Sequence, residues 1–183
     1  AGEPGIDFAR LELPRGSQWL RLKAQGPVKL HGVVLESGDG GIIWDALGVP
    51  GTTAESVLQA NRGDLVAGLK RRDPELIVVL LGLNESHHLN TDAESLSAYQ
   101  RRFGELIGTL REATPQADCL VAGPMDSGAR STSGAIRSRP VMRGIGEAQR
   151  AVALEHGCGF FSLYESMGGE GSIKTWFEAG LAF

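Results

Sequence analysis

The sequence lacks most features that mark specialised classes of protein. Its 18 lysines and arginines are outnumbered by 22 aspartates and glutamates, a net charge of −4, so there is no basic surplus for gripping a phosphate backbone. No apolar run approaches the roughly 20 residues that span a bilayer. Internal repeats and low-complexity tracts are also absent. We therefore expect neither nucleic acid as a partner nor a membrane span.

Cysteine is scarce as well. Cys119 and Cys158 are the only two in 183 residues, and they give neither a disulfide framework nor a zinc-ligand spacing. Each lies in an apolar run, so we predict buried free thiols. The chain contains 42% apolar and 22% charged residues, which is typical of a soluble globular domain. It begins at Ala1 and not at Met, so we expect a processed or trimmed piece.

The first 36 residues predict a short antiparallel β segment. Apolar and polar residues alternate over 8–13, 18–23 and 28–35, and turn signals separate these stretches at 14–16 and 25–27. Trp19 lies in one of these predicted strands, and Trp44 follows the segment. Single tryptophans in strands are more often core residues than sugar-stacking platforms, although both interpretations stay open.

The rest of the chain alternates between helical and strand patterns. Helices are predicted at 53–70, 91–114 and 140–157, and strands at 76–81, 119–122 and 160–163, with a long polar loop at 126–139. This order predicts an α/β fold, a three-layer α/β/α sandwich with a parallel sheet like that of flavodoxin. In such sheets the active crevice lies beyond the carboxyl ends of the strands.

Two of the predicted crevice loops carry candidate oxyanion donors. Asn84 follows the strand-end Gly82, where its amide can point at a developing negative charge. Gly51 precedes a predicted helix, and its backbone N–H can approach a ligand closely there. A turn asparagine that only caps its own loop is the plainer alternative for Asn84.

These motifs resemble those of the SGNH (GDSL-like) hydrolases. Val49-Pro50-Gly51-Thr52-Thr53-Ala54 matches the second family block, and Gly82-Leu83-Asn84-Glu85 matches the third, Gly-x-Asn-Asp, with Glu in place of Asp. The segments 123–126 and 167–172, with Trp176, resemble the branch of peptidoglycan and polysaccharide O-acetyl esterases and acetyltransferases. By this resemblance residues 1–36 are the tail of a jelly-roll, carbohydrate-binding-like module, and residues 37–183 are the hydrolase-like domain.

The resemblance implies a serine esterase or acyltransferase acting on O-acetyl groups of an envelope polysaccharide. It implies Gly51 and Asn84 as the catalytic oxyanion donors. It also implies four substrate-binding residues, which are Glu85, His87, Met125 and Asp126. No metal or organic cofactor is implied, and the expected place is the bacterial envelope or periplasm, or outside the cell.

Two family blocks are missing from the sequence. The nucleophile block Gly-Asp-Ser is absent, since Ser37-Gly38-Asp39-Gly40 has glycine where the nucleophile should stand. The block Asp-x-x-His, which supplies the general base, is also absent after Trp176. We therefore expect the middle of such a hydrolase, incomplete at both ends, which holds the oxyanion donors without the catalytic triad.

Other assignments remain open at this point. Ser86, His87 and His88 are adjacent and could form part of a triad inside the chain. A non-catalytic glycan-binding or scaffold module would also lack both triad blocks, whereas a nucleotide-binding domain is disfavoured because no phosphate loop is present. Arg130, Arg137 and Arg139 lie on the long loop, either solvated or facing an anionic glycan; His31 and His156 are interpreted as structural.

Overall fold

The computed structural model describes residues 7–37 and 40–182, and they fall into two compact units. One unit reaches to Leu47 and the other begins at Gly48. The two middle residues of the Ser37–Gly40 echo, Gly38 and Asp39, lie outside the described residues.

The described part of the first unit contains turns and irregular chain but no helix or strand. The three predicted β strands are therefore not formed. Their apolar side chains are exposed, and Trp19 (79%) and Trp44 (73%) are not core residues. A β ribbon needs a third strand or a covering layer before its pairing is stable, and the described residues of this unit bury no apolar side chain that would supply one.

The second unit contains a parallel sheet and a separate two-stranded hairpin. The strands of the unit are β1 (Leu76–Leu80), β2 (Asp118–Gly123), β3 (Gly128–Arg130), β4 (Ile136–Ser138) and β5 (Gly159–Ser162). Its helices are α1 (Ala54–Leu58), α2 (Arg62–Arg72), α3 (Ala93–Ala113), α4 (Met142–Glu155), α5 (Leu163–Met167) and α6 (Ser172–Glu178), with a 3₁₀ turn at Glu85–His87. The parallel sheet has the order β1-β2-β5. The predicted parallel α/β fold is thereby confirmed.

The core lies between this sheet and two amphipathic helices. The predicted apolar stripe of α3 is buried, with Phe103 and Ile107 fully enclosed, and α3 packs against α4, which lies against β2. Asp92 caps α3 by accepting the Ser95 N–H, one residue later than the predicted start. Val79 and Val121 extend the core into the sheet.

The opposite face of the sheet is exposed. Leu76, Val78 and Leu80 alternate with the core residues of β1, and Phe161 of β5 is on the same side as these three because the pleat reverses at each residue. All four remain accessible to solvent. Over the described residues of this unit, α3 and α4 therefore form the helical layer on the buried face of the sheet.

Two predicted elements differ from those observed. The predicted helix over 53–70 is divided into α1 and α2, because Asn61 accepts the Asp64 N–H and starts a new helix. The predicted polar loop over 126–139 contains an antiparallel hairpin, β3–β4, in which Ala129 pairs with Arg137. Strands of three residues are too short for an alternating pattern to reveal them.

The prediction of free thiols is wrong, because Cys119 and Cys158 form a disulfide. Leu120 of β2 pairs with Gly159 of β5, so the residues just before them are neighbours on adjacent strands. Their Cα atoms are 4.6 Å apart, within the range a disulfide requires.

Among the described residues, no helix has the length and apolar content that crossing a bilayer requires.

Candidate active site

Gly51 lies in a tight turn formed by residues 49–52. The Thr52 N–H donates to the Val49 carbonyl, 3.1 Å away, and Pro50 and Gly51 occupy the two central positions. Gly51 has φ = +83°, as the third position of a type II turn demands, and this conformation suits glycine. The Gly51 backbone is exposed. The following helix has only five residues, so its dipole adds little to this site.

Asn84 follows the carboxyl end of β1 through Gly82. Gly82 has φ = +110°, and an added Cβ would lie 2.9 Å from both Gln149 Nε2 and Ile145 Cγ2, so only glycine fits. The Asn84 Nδ2 donates to the Thr52 carbonyl, 2.8 Å away, which uses one of its two N–H groups. The structure thus brings the two predicted donor loops together.

Glu85 is buried and does not face the cleft. Its Oε1 accepts the Ala54 N–H and its Oε2 accepts the Gly82 N–H, each at 2.9 Å. Only 6% of the residue is exposed. The structure therefore places Glu85 between the two loops, behind the position that a substrate contact would require.

A cleft of about 210 Å³ opens where β1 and β2 end. Its lining is mostly apolar and comprises Thr52, Leu80, Leu81, Gly82, Leu83, Asn84, Pro124 and Met125. The predicted residue Met125 belongs to this lining, whereas the exposed His87 does not. An apolar wall with one convergent amide is the usual composition of a small-molecule site.

Asp126 lies buried after β2 and holds two elements together. Its Oδ2 accepts from Ser138 Oγ at 2.7 Å and from the Ile173 N–H at 3.0 Å, which joins β4 to α6. Its Oδ1 is also buried and has no hydrogen-bond partner among the described residues. These contacts give Asp126 an architectural position in place of an exposed substrate-binding one.

The adjacent Ser86 and histidines do not form a catalytic pair. Ser86 is buried, and its Oγ donates to the Leu83 carbonyl. His87 and His88 are exposed, and the centroids of their rings are 6.4 Å apart. No described hydrogen bond joins Ser86 to either histidine, so a triad at these positions is not assembled.

Sequence reasoning missed a buried polar network behind the site. Gln149 of α4 is fully buried, and its Nε2 donates to the Leu81 carbonyl at 3.0 Å and to the Tyr99 hydroxyl at 2.7 Å. Burial, and secondarily the negative charge of Glu85, raise the pKa of Tyr99 far above its usual value, so the hydroxyl stays protonated. A glutamine within the apolar face of α4 was the signal for this network.

The arginine-bearing residues 126–139 are more ordered than predicted. Arg130 of β3 lies over the ring of Phe177 in α6, 5.1 Å from its centroid. This cation–π contact and the Asp126 hydrogen bonds anchor the hairpin to α6. The described residues contain no group of three metal-ligating side chains.

The chain is similar to known proteins in sequence and in fold. The model of the GDSL-like Lipase/Acylhydrolase family matches residues 18–180, whereas no curated protein matches the chain. A peptidoglycan O-acetylesterase is similar in structure, with 23% identity, a TM-score of 0.53 and coverage of 66% of this chain. An acetyl xylan esterase has 14% identity, a TM-score of 0.49 and 65% coverage. An extracellular lipase from Streptomyces rimosus has 16% identity, a TM-score of 0.37 and 65% coverage.

The chain spans 36% of the length of the peptidoglycan O-acetylesterase, 58% of the acetyl xylan esterase and 60% of the lipase. The family match, in contrast, extends over most of the chain and includes both donor loops. The chain therefore belongs to the GDSL-like lipase and acylhydrolase family, as the motifs around Gly51 and Asn84 predict.

Proposed function

We propose that this chain supplies the oxyanion-binding part of a serine acyl hydrolase that removes acetyl groups from carbohydrate. The observation that carries the proposal is the contact between the two donor loops at one apolar cleft. The Asn84 amide donates to the carbonyl of Thr52, the last residue of the Gly51 turn. Two donors from separate loops, held at the end of a parallel sheet, suit a site for the oxyanion of an acyl-transfer intermediate.

The proposed reaction has two steps. A serine oxygen attacks the ester carbonyl carbon, its proton passes to a general base, and the carbonyl oxygen becomes an oxyanion. The Gly51 N–H and the remaining Asn84 N–H donate to that oxygen. Collapse of the intermediate releases the sugar hydroxyl, which takes the proton back, and leaves an acetyl–serine ester. Water then cleaves this ester by the same route, which releases acetate and restores the serine.

The side chains that line the cleft favour a small acyl group as the part of the substrate that binds there. Leu83 and Met125 line it beside Asn84, and a methyl group can pack against such side chains. The exposed His87 lies on the same loop as Asn84 and is proposed, with Met125, to contact the sugar. The similarity of the fold to a peptidoglycan O-acetylesterase favours peptidoglycan or a related envelope polysaccharide as the substrate.

The disulfide supports a place outside the cytoplasm. Bonds such as Cys119–Cys158 persist in oxidising compartments and are rare where cellular reductants keep thiols reduced. We accordingly propose the periplasm, the bacterial envelope or the extracellular medium, where O-acetylated polysaccharide occurs.

The test is hydrolysis by the complete gene product. We expect release of p-nitrophenol from p-nitrophenyl acetate and release of acetate from O-acetylated peptidoglycan, both abolished by a serine-directed fluorophosphonate. Acetate release from acetylated xylan, but not from peptidoglycan, would show that the substrate is a polysaccharide other than peptidoglycan. No release from any acetyl ester would refute the esterase proposal.

A second candidate is a non-catalytic glycan-binding module. It is favoured by the absence of a hydrogen-bonded Ser–His pair among the described residues and by the 79% exposure of Trp19, which sugars could stack on. Binding of O-acetylated glycan without turnover, weakened by Trp19→Ala and unaffected by fluorophosphonate, would support this alternative.

A further inference from the structure

Glu85 joins the two loops that carry the proposed oxyanion donors. Its Oε1 accepts from Ala54, at the end of the Gly51 loop, and its Oε2 accepts from Gly82, at the start of the Asn84 loop. Both distances are 2.9 Å, and the carboxylate is buried. One side chain therefore fixes the backbone of both loops at once.

A carboxylate suits this position because both groups that face it are donors. The Ala54 N–H opens α1, where it has no partner within the helix, and the Gly82 N–H lies just beyond the last residue of β1. Each oxygen of a carboxylate accepts hydrogen bonds, whereas an amide presents one acceptor and one donor. The negative charge also makes both bonds charge-assisted.

A second connection runs in the opposite direction between the same loops. Asn84 donates to the Thr52 carbonyl, while Glu85 accepts from Ala54 two residues further along. The separation between the Gly51 N–H and the Asn84 amide thus depends on both bonds. Asn84 faces the cleft, but Glu85 does not, so Glu85 can act only through the donors.

We propose that Glu85 is the positioning residue of the oxyanion hole, holding the Gly51 turn and Asn84 at the spacing that a tetrahedral intermediate needs. This inference rests on the proposed esterase function. It assigns to Glu85 a role in transition-state stabilisation in place of the substrate contact that the family resemblance implies.

The first experiment compares kcat and KM for p-nitrophenyl acetate in Glu85→Gln, Glu85→Asp and the control Glu105→Gln, all in the complete gene product. Glu105 is an exposed carboxylate on α3 and does not line the cleft. We expect Glu85→Gln to lower kcat about 10- to 100-fold with little change in KM, because misplacement by about 1 Å costs that much. Glu85→Asp keeps the charge and should recover part of the loss, and the control should match the parent.

A double variant separates positioning from a general loss of folded protein. If Glu85 acts through Asn84, the Glu85→Gln change lowers kcat less in an Asn84→Ala background than in the parent. Equal losses in both backgrounds, or a folded Glu85→Gln protein with parental kcat, would overturn the inference. If Glu85→Gln does not fold, the same comparison is made with Glu85→Asp.

A readout without turnover keeps this inference distinct from the proposed function. In ¹H–¹⁵N spectra the Ala54 and Gly82 amide protons should lie downfield, because both donate to a carboxylate, and both should move upfield in Glu85→Gln but not in Glu105→Gln. A parent protein that hydrolyses no acetyl ester refutes the esterase function. Amide resonances that do not move in Glu85→Gln refute the connection itself, whether or not the parent is active.

Discussion

Gln149 donates from Nε2 to the hydroxyl of Tyr99, 2.7 Å away, in a part of the core from which both residues exclude solvent. The same nitrogen donates to the Leu81 carbonyl at the end of β1. One amide therefore links α3, α4 and the strand that leads to Asn84. Gln149 Nε2 also lies so close to the backbone of residue 82 that this residue must be glycine. The polar network thus fixes the start of the donor loop from behind.

Tyr99→Phe should make the free energy of unfolding less dependent on pH in the alkaline range. Burial, with the charge of Glu85, raises the pKa of Tyr99 in the folded protein, so the unfolded chain loses this proton first as the pH rises past about 10. The stabilisation is complete below pH 10 and declines above it, by about 1.4 kcal/mol per pH unit. Urea unfolding at pH 9 and 10.5 should show this decline in the parent and a smaller one in Tyr99→Phe. Equal declines in the two proteins would contradict the assignment.

Asn84→Ala should impair turnover without unfolding the protein. Loss of one oxyanion donor lowers kcat by about 10²- to 10³-fold. Asn84→Asp should be at least as impaired, because a carboxylate cannot donate and repels the oxyanion. The exposed Asn90, changed to Ala, is the control and should keep parental activity. Unchanged acetyl-ester turnover in folded Asn84→Ala would remove Asn84 from the site.

The elements that sequence alone predicted are those set by local patterns. The stripe from Leu96 to Leu110 repeats at helical spacing, and α3 follows it with its inner side chains buried. The apolar run at β1 is bounded by Pro74 and Gly82 and forms a strand. The position of Asn84 followed from the rule that active residues follow parallel strands at their carboxyl ends.

The features that sequence did not predict depend on contacts between distant residues. The disulfide requires the register between β2 and β5, which brings together residues 39 positions apart. The burial of Glu85 depends on the Ala54 N–H, 31 residues away, being oriented toward it. The predicted β segment failed for a related reason, since its alternating pattern specifies a face but not the layer that must cover it.

Reduction of the Cys119–Cys158 bond should destabilise the second unit. The bond joins residues 39 positions apart and lowers the conformational entropy of the unfolded chain. This effect stabilises the folded protein by about 4 kcal/mol. Urea unfolding should therefore shift to lower denaturant concentration when a reductant such as TCEP is added. The double variant Cys119→Ser/Cys158→Ser should show the lower stability from the start and no response to the reductant. A parent protein that is insensitive to reductant would show that the bond contributes nothing to stability.

Because the two oxygens of Asp126 have different contacts, two substitutions of this residue should differ in their effect on stability. Oδ2 accepts from Ser138 and Ile173, whereas Oδ1 has no partner among the described residues. Asp126→Asn can keep its carbonyl oxygen at the Oδ2 position, but its NH₂ then lies buried without an acceptor where Oδ1 was. It should therefore lose less stability than Asp126→Ala but more than an exposed control. Asp126→Ala leaves the buried donors unsatisfied and should cost about 2 to 4 kcal/mol.

Urea unfolding measures both Asp126 changes, with Asp118→Ala as the exposed control. Proteolysis of the β3–β4 hairpin gives an independent readout, since this hairpin is joined to α6 by the same carboxylate. Cleavage should accelerate in Asp126→Ala and accelerate less in Asp126→Asn, which keeps the bonds to Ser138 and Ile173. If both variants lost the same stability, the negative charge of Asp126 would matter more than its hydrogen bonds, and the architectural role assigned to Oδ2 would be wrong.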